Sequence, residues 1–205
     1  MRARSGIGSL VLLAMSFGCC SLRAAPIAPG NGQQTADLNG TKLVVYTYRP
    51  RCSNPNVLFV FHGLNRNADG YRDHARPLGD GLCALVVAPQ FDEDRFPARK
   101  YQRGGIVDAR GRVEPPAEWT GQFVVELGDW IWRQEGRRLA YSMIGHSAGA
   151  QFLSRIAAFI PNEARHMVIA NPSTWVLPSL DIDAPYGLRG VYSNDQATIE
   201  LRRGP

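Results

Sequence analysis

Apolar positions fall in short runs along this chain, and the runs alternate between two periods. Residues 57–61 (Val-Leu-Phe-Val-Phe) and 84–88 (Ala-Leu-Val-Val-Ala) are uninterrupted, the pattern of strands buried on both faces. Residues 42–48 are β-branched and aromatic and stop at Pro50, 139–144 run apolar up to a glycine, and 167–170 give a last short strand. Between these the period lengthens. Phe123, Val124, Leu127, Trp130 and Ile131 recur at three- and four-residue spacings and predict a helix over 121–134. Ala150, Phe152, Leu153, Ile156, Ala157 and Ile160 predict another, ended by Pro161. A third spans 67–78, with Asp69, Tyr71 and His74 around its surface. Strands alternating with helices predict an α/β fold: a mostly parallel sheet with helices on both faces.

The segments outside this alternation are rich in turn formers. Residues 26–39 carry Pro, Gly, Asn and Gln and read as a flexible lead-in, which leaves 40–205 as one domain. Residues 91–120 read as one long loop, and such loops in compact domains are often functional. Tyr101 and Trp119 within it are candidates for a substrate wall or for ordinary packing. Residues 171–194 are again turn-rich, and 196–203 resemble the start of a helix.

The N-terminus has its own logic. Arg2 and Arg4 precede an apolar run over 7–17, followed by small residues up to Ala24-Ala25. Basic, apolar, then small is the order of a secretory signal, here 1–25, and the run is too short to span a membrane comfortably. The expected destination is secreted or periplasmic; a lipid anchor at Cys19 or Cys20 is the alternative, poorly served by the bulky Phe17 before them. The leader holds Arg2, Arg4 and Arg23 and no acid, so its removal lowers the formal charge from +5 to +2. The basic residues that remain are scattered, which argues against a nucleic-acid partner. Cys52 and Cys83 then form an even pair, a disulfide candidate in an oxidising compartment or else two separate thiols.

Chemistry concentrates at Gly145-His146-Ser147-Ala148-Gly149, between a predicted strand and a predicted helix. A serine on so tight a turn is pushed out of the sheet edge with its hydroxyl exposed, and flanking glycines allow the backbone approach the turn needs. Ser147 is the candidate nucleophile. An attacked carbonyl develops an oxyanion that preorganised N–H groups must hold. Ala148, opening the helix, is one candidate donor, and Leu64, in the His62-Gly63-Leu64 loop after the 57–61 strand, is the other. His62 reads as a structural prop for that loop, and His146 should point away from the serine hydroxyl. No metal cluster, phosphate-binding loop or dinucleotide fingerprint is present, so neither a metal nor a cofactor is expected.

Phe61-His62-Gly63-Leu64, the glycine-flanked serine and the strand order together resemble the α/β-hydrolase superfamily. More narrowly, 42–175 resembles secreted esterases related to polyhydroxybutyrate depolymerases and feruloyl esterases, through the leader and the run from Asn65 to Tyr71 after the His-Gly loop. The resemblance implies hydrolysis of a small or polymeric carboxylic ester. It also implies an acid and then a histidine after the nucleophile. Only His166 follows Ser147, 19 residues on and at the wrong end of its strand, and Asp181, Asp183 and Asp195 follow no recognisable further strand. The resemblance therefore implies a C-terminally truncated hydrolase without its acid and base. The alternative is a non-catalytic pseudoenzyme or binding module on the same fold, and peptidase or acyltransferase chemistry is a third reading.

Overall fold

The computed structural model describes residues 25–193. The signal-like segment up to residue 24, Asp195 and the helix expected over 196–203 lie outside the described residues.

Six strands form one sheet in the order β1-β2-β4-β3-β5-β6. They are β1 (Gly30–Leu38), β2 (Thr41–Arg49), β3 (Asn56–Phe61), β4 (Ala84–Pro89), β5 (Tyr141–His146) and β6 (Met167–Ala170). β3 pairs in parallel with both β4 and β5, and β5 pairs in parallel with β6. β1 and β2 are antiparallel to each other, and β2 is antiparallel to β4.

Residues 26–39 are therefore not a flexible lead-in, because β1 occupies most of that stretch. Asn39 and Gly40 both take positive φ, 48° and 91°, and close a two-residue hairpin whose twist matches the strands it joins. β1 is easily missed because it is polar. Only Ala36 and Leu38 are buried along it, on alternate positions.

The two faces of the sheet are read from alternate residues of β3. Val57, Phe59 and Phe61 enter the larger core under α3 (Gln122–Glu135) and α4 (Ala148–Phe159). Leu58 and Val60 enter a smaller core with Ala68 and Ala75, under α1 (Ala68–His74) and α2 (Arg76–Leu82). The helix expected over 67–78 is two helices. The chain breaks at Ala75, and Pro77 sits in the first turn of α2, where its missing N–H costs nothing.

α4 is buried nearly all round, including Gln151, Ser154 and Arg155. Its expected stripe is correct except that Ala157 faces outward while Phe159 is buried. The 91–120 stretch has only one short 3-10 turn, yet Phe91, Phe96, Tyr101, Ile106 and Trp119 are all buried. It is a folded wall of the core. Tyr101 and Trp119 are packing residues and not a substrate wall: Tyr101 stacks on Phe91, and Trp119 packs edge-on against Phe159.

Cys52 and Cys83 are bonded, with Cα atoms 5.9 Å apart. The bond ties the approach to β3 to the start of β4, at the end of the parallel strands away from Ser147. Among the described residues no helix is long and apolar enough to cross a membrane.

Candidate active site

Ser147 stands between the last residue of β5 and the first of α4, with φ 53° and ψ −113°. That conformation is sterically costly for any side chain, on the order of 1–3 kcal/mol, and persists only where the surroundings dictate it. The surroundings are two glycines. A Cβ on Gly145 would lie 2.5 Å from the backbone of Gly149, and a Cβ on Gly149 would lie 2.3 Å from the Phe61 carbonyl oxygen. Without these two side chains, the first turn of α4 settles directly on the ends of β5 and β3. Two backbone bonds complete the turn: Ser147 N–H donates to Ala170 O at 3.1 Å, and Gln151 N–H donates to Ser147 O at 3.0 Å. The serine side chain makes no capping bond to its own helix, so its hydroxyl is left for other partners.

The His62-Gly63-Leu64 loop lies against this turn. A methyl group built on Gly63 would stand 4.0 Å from Ser147 Cβ. Leu64 follows directly, its side chain 58% exposed at the rim. The structure thus brings together the three residues singled out in the sequence: Ser147, Ala148 at the N-terminus of α4, and Leu64 beside Gly63. The first N–H groups of any α-helix have no partner within the helix and carry its positive end, and the Ala148 N–H is one of them.

His62 is fully buried. Its Nε2 accepts from Phe91 N–H at 3.0 Å, so the proton sits on Nδ1, which donates to Gly63 O at 2.9 Å. Burial pulls its pKa down from 6.5 to about 4, and the nearby Arg66 cation pushes the same way. It is a neutral strut for the loop. Tyr101 reinforces it, donating its hydroxyl to His62 O at 2.8 Å. Arg66, two residues past Leu64, stacks its guanidinium over Tyr101 and donates to Phe91 O.

The remaining histidines lie elsewhere. His166 precedes β6, and its Nδ1 is 3.4 Å from Ser142 Oγ. Because His146 pairs with Ala170 in this parallel register, His166, four residues before Ala170, sits about 13 Å along the sheet from that pair at 3.3 Å per residue. His146 is exposed, with Nδ1 3.4 Å from the Tyr71 hydroxyl. His74 ends α1. Among the described residues no imidazole is hydrogen-bonded to Ser147.

The segment after β6 forms the far rim. Gln151 donates to Ser173 Oγ at 3.0 Å and accepts from Thr174 Oγ1 at 2.8 Å. Arg155 donates to Thr174 O at 2.8 Å; burial lowers its pKa to about 10, so it remains a cation at neutral pH. No sequence signal pointed to this network. Asp183 pairs with Arg189 at 2.6 Å. It lies with Asp181 on a separate cavity of about 660 Å³, between residues 99–111 and 181–189, that contains none of the residues around Ser147. Among the described residues no group of three or more His, Cys, Asp or Glu is placed to hold a metal ion.

A serine at positive φ between parallel strand and helix, with a His-Gly loop set beside it, defines the α/β-hydrolase class, and the chain belongs to the α/β-hydrolase family. Among solved structures it is similar to poly(aspartic acid) hydrolase-1 from Sphingomonas sp. KT-1, with 32% identity and a TM-score of 0.78 over 85% of this chain and 69% of that one. It is also similar to a poly(3-hydroxybutyrate) depolymerase from Bordetella parapertussis, with 29% identity and a TM-score of 0.76 over 85% of this chain and 63% of that one. The chain spans just over two thirds of the first relative's length and just under two thirds of the second's. The BES protein of Bacillus cereus shares the fold at 15% identity and a TM-score of 0.54 over 86% of this chain and 72% of that one. No protein-family model and no curated protein matches the chain.

Proposed function

We propose that this chain is an exported serine hydrolase of carboxylic esters with Ser147 as its nucleophile. The observation that carries the reading is the conformation of Ser147, forced by the Gly145 and Gly149 contacts and leaving the hydroxyl uncapped. Stored backbone strain at a serine between strand and helix has no packing purpose, whereas it presents an oxygen to a substrate carbonyl. Ser147 Oγ bonds to the carbonyl carbon, its proton passing to water, while the displaced C=O electron pair carries the oxygen toward the N–H groups of Leu64 and Ala148. The carbonyl re-forms as the alcohol leaves with a proton, and water then releases the acid from the serine. Losing one such N–H donor costs about 100- to 1,000-fold in turnover in enzymes of this kind. The substrate is a small or polymeric ester; the polymeric ester is supported by the relative named as a poly(3-hydroxybutyrate) depolymerase. Export is supported by the Cys52–Cys83 bond, since such bonds persist in oxidising compartments.

A second reading, a binding module that keeps the strained turn without turnover, is favoured by one observation: His62 is locked as a strut, and among the described residues no other imidazole bonds Ser147. A fluorophosphonate probe separates the two. Labelling of the purified protein that disappears in Ser147→Ala is the expected result. A folded protein that takes no label overturns Ser147 as an activated nucleophile and leaves the non-catalytic reading, pseudoenzyme or binding module.

A further inference from the structure

A second cavity, of about 150 Å³, opens at the C-terminal ends of β3 and β5, between them and α1 and α2. Val60, Ala75, Leu78 and Ile144 line it, and Tyr71, His74 and His146 supply its polar lining. We propose that this cavity binds one small uncharged apolar group, a phenyl ring or short aliphatic chain, whose polar atom meets the Tyr71 hydroxyl; it is the subsite for one side of the ester, an assignment that rests on Ser147 as nucleophile.

Size and lining set the ligand class. A volume of roughly 150 Å³ matches a guest the size of benzene. No arginine or lysine lines it. A carboxylate entering would lose its hydration with no guanidinium or ammonium in return. The guest is therefore neutral. Leu78 is 44% exposed at the mouth, which gives an incoming apolar group a surface to cover.

Tyr71 connects the cavity to the nucleophile. A methyl group built on Gly63 would lie 2.6 Å from the Tyr71 hydroxyl oxygen and 4.0 Å from Ser147 Cβ. The hydroxyl thus packs closely on Gly63, where only a glycine admits it, and Ser147 lies on the other side of that residue. The hydroxyl is only loosely held, since 3.4 Å to His146 Nδ1 is long beside the usual distance of about 2.8 Å for a hydroxyl donor. It keeps both donor and acceptor capacity for a ligand. A guest with its ring among Val60 and Ile144 and its oxygen at Tyr71 lies across Gly63 from Ser147, so the remainder of an ester extends from that oxygen toward the serine. The same placement makes Tyr71 a specificity residue, selecting guests that carry a hydrogen-bonding atom.

The test uses phenol and benzene as probes on the Ser147→Ala protein, so that binding is read without chemistry. Phenol is expected to bind saturably at one site, with nuclear Overhauser contacts from its ring to the Ile144 and Val60 side chains. Tyr71→Phe should weaken phenol about three- to tenfold, the value of one net hydrogen bond, and leave benzene unchanged. Leu78→Trp, a surface substitution that fills the mouth, should abolish both. Lack of saturation, contacts elsewhere on the protein, or equal phenol affinity in Tyr71→Phe overturns the proposal. The contacts are read on the unfilled cavity, so the outcome does not depend on whether the Leu78→Trp protein folds. Phenol bound here in a protein that takes no fluorophosphonate label sinks Ser147 as nucleophile but not the cavity. A labelled protein without phenol binding does the reverse.

Discussion

Gly149 and the carbonyl oxygen of Phe61 are so close that a single added methyl group would stand 2.3 Å from that oxygen. Both partners are backbone, one in the first turn of α4 and the other at the end of β3, so neither can rotate away. Gly149→Ala must push the helix off the sheet. The expected cost is about 3 kcal/mol or more, seen as a large fall in the urea midpoint or as failure to fold. A loss under about 1 kcal/mol would mean that helix and strand are not seated as described.

The strain at Ser147 makes an opposite prediction. Glycine adopts φ 53°, ψ −113° far more easily than serine does. Ser147→Gly should raise stability by about 1 kcal/mol, the strain relieved less the entropy of a glycine in the unfolded chain. That corresponds to roughly 2–4 °C in Tm for a domain of this size. Ser147→Ala keeps the strained backbone and should leave Tm where it was. Calorimetry of the three proteins decides it, and equal Tm values for glycine and alanine would mean that the turn stores no strain.

His62 gives a pH dependence whose sign is fixed by its burial. In the unfolded chain it takes a proton near 6.5, while in the folded protein it does so only at about 4. The unfolded state therefore binds the extra proton between these values. Its contribution to stability is complete above pH 6.5 and is lost as the pH falls to about 4, on the order of 3 kcal/mol. Thermal unfolding measured across that window should show the slope, and His62→Asn should flatten it, whatever its effect on absolute stability. An unchanged slope in the variant would assign the proton uptake to other groups.

The bond between Cys52 and Cys83 closes a loop with a sequence separation of 31 residues. Constraint of the unfolded chain by such a loop is worth about 3–4 kcal/mol in the chain-entropy description. The double variant Cys52→Ser/Cys83→Ser should lose about that much in denaturant unfolding. Fluorophosphonate labelling, if it occurs, should persist in conditions where the variant is folded, because the bond lies at the opposite end of the strands from Ser147.

What could be read in advance follows from which signals are local. β3, β4 and β5 are short apolar runs, and the glycines around Ser147 are spaced by a turn that one segment makes on its own, so both were legible. β1 was not: Gly30–Leu38 is Gly-Asn-Gly-Gln-Gln-Thr-Ala-Asp-Leu, and its strand character comes from pairing with β2 and from the Asn39-Gly40 turn. The break at Ala75 is signalled by Pro77, which a helix accepts in its first turn and not in its interior, and reading 67–78 as one helix runs through that signal. The 91–120 stretch reads as loop because it lacks a period, while its burial comes from rings spread along it that meet only in three dimensions. The meeting of Tyr71, Gly63 and Ser147 joins segments far apart in sequence and leaves no trace in spacing. The glycine-flanked serine was visible; the cavity beside it was not.

Position 147 is held in place entirely by its neighbours. Gly145, Gly149 and the two backbone bonds to Ala170 and Gln151 define its orientation, and its own side chain contributes no capping bond. The turn therefore acts as a socket indifferent to what is plugged into it. A cysteine or aspartate installed there would be aimed at the same space as the serine, which makes this one position an interchangeable port for testing nucleophiles on an unchanged scaffold.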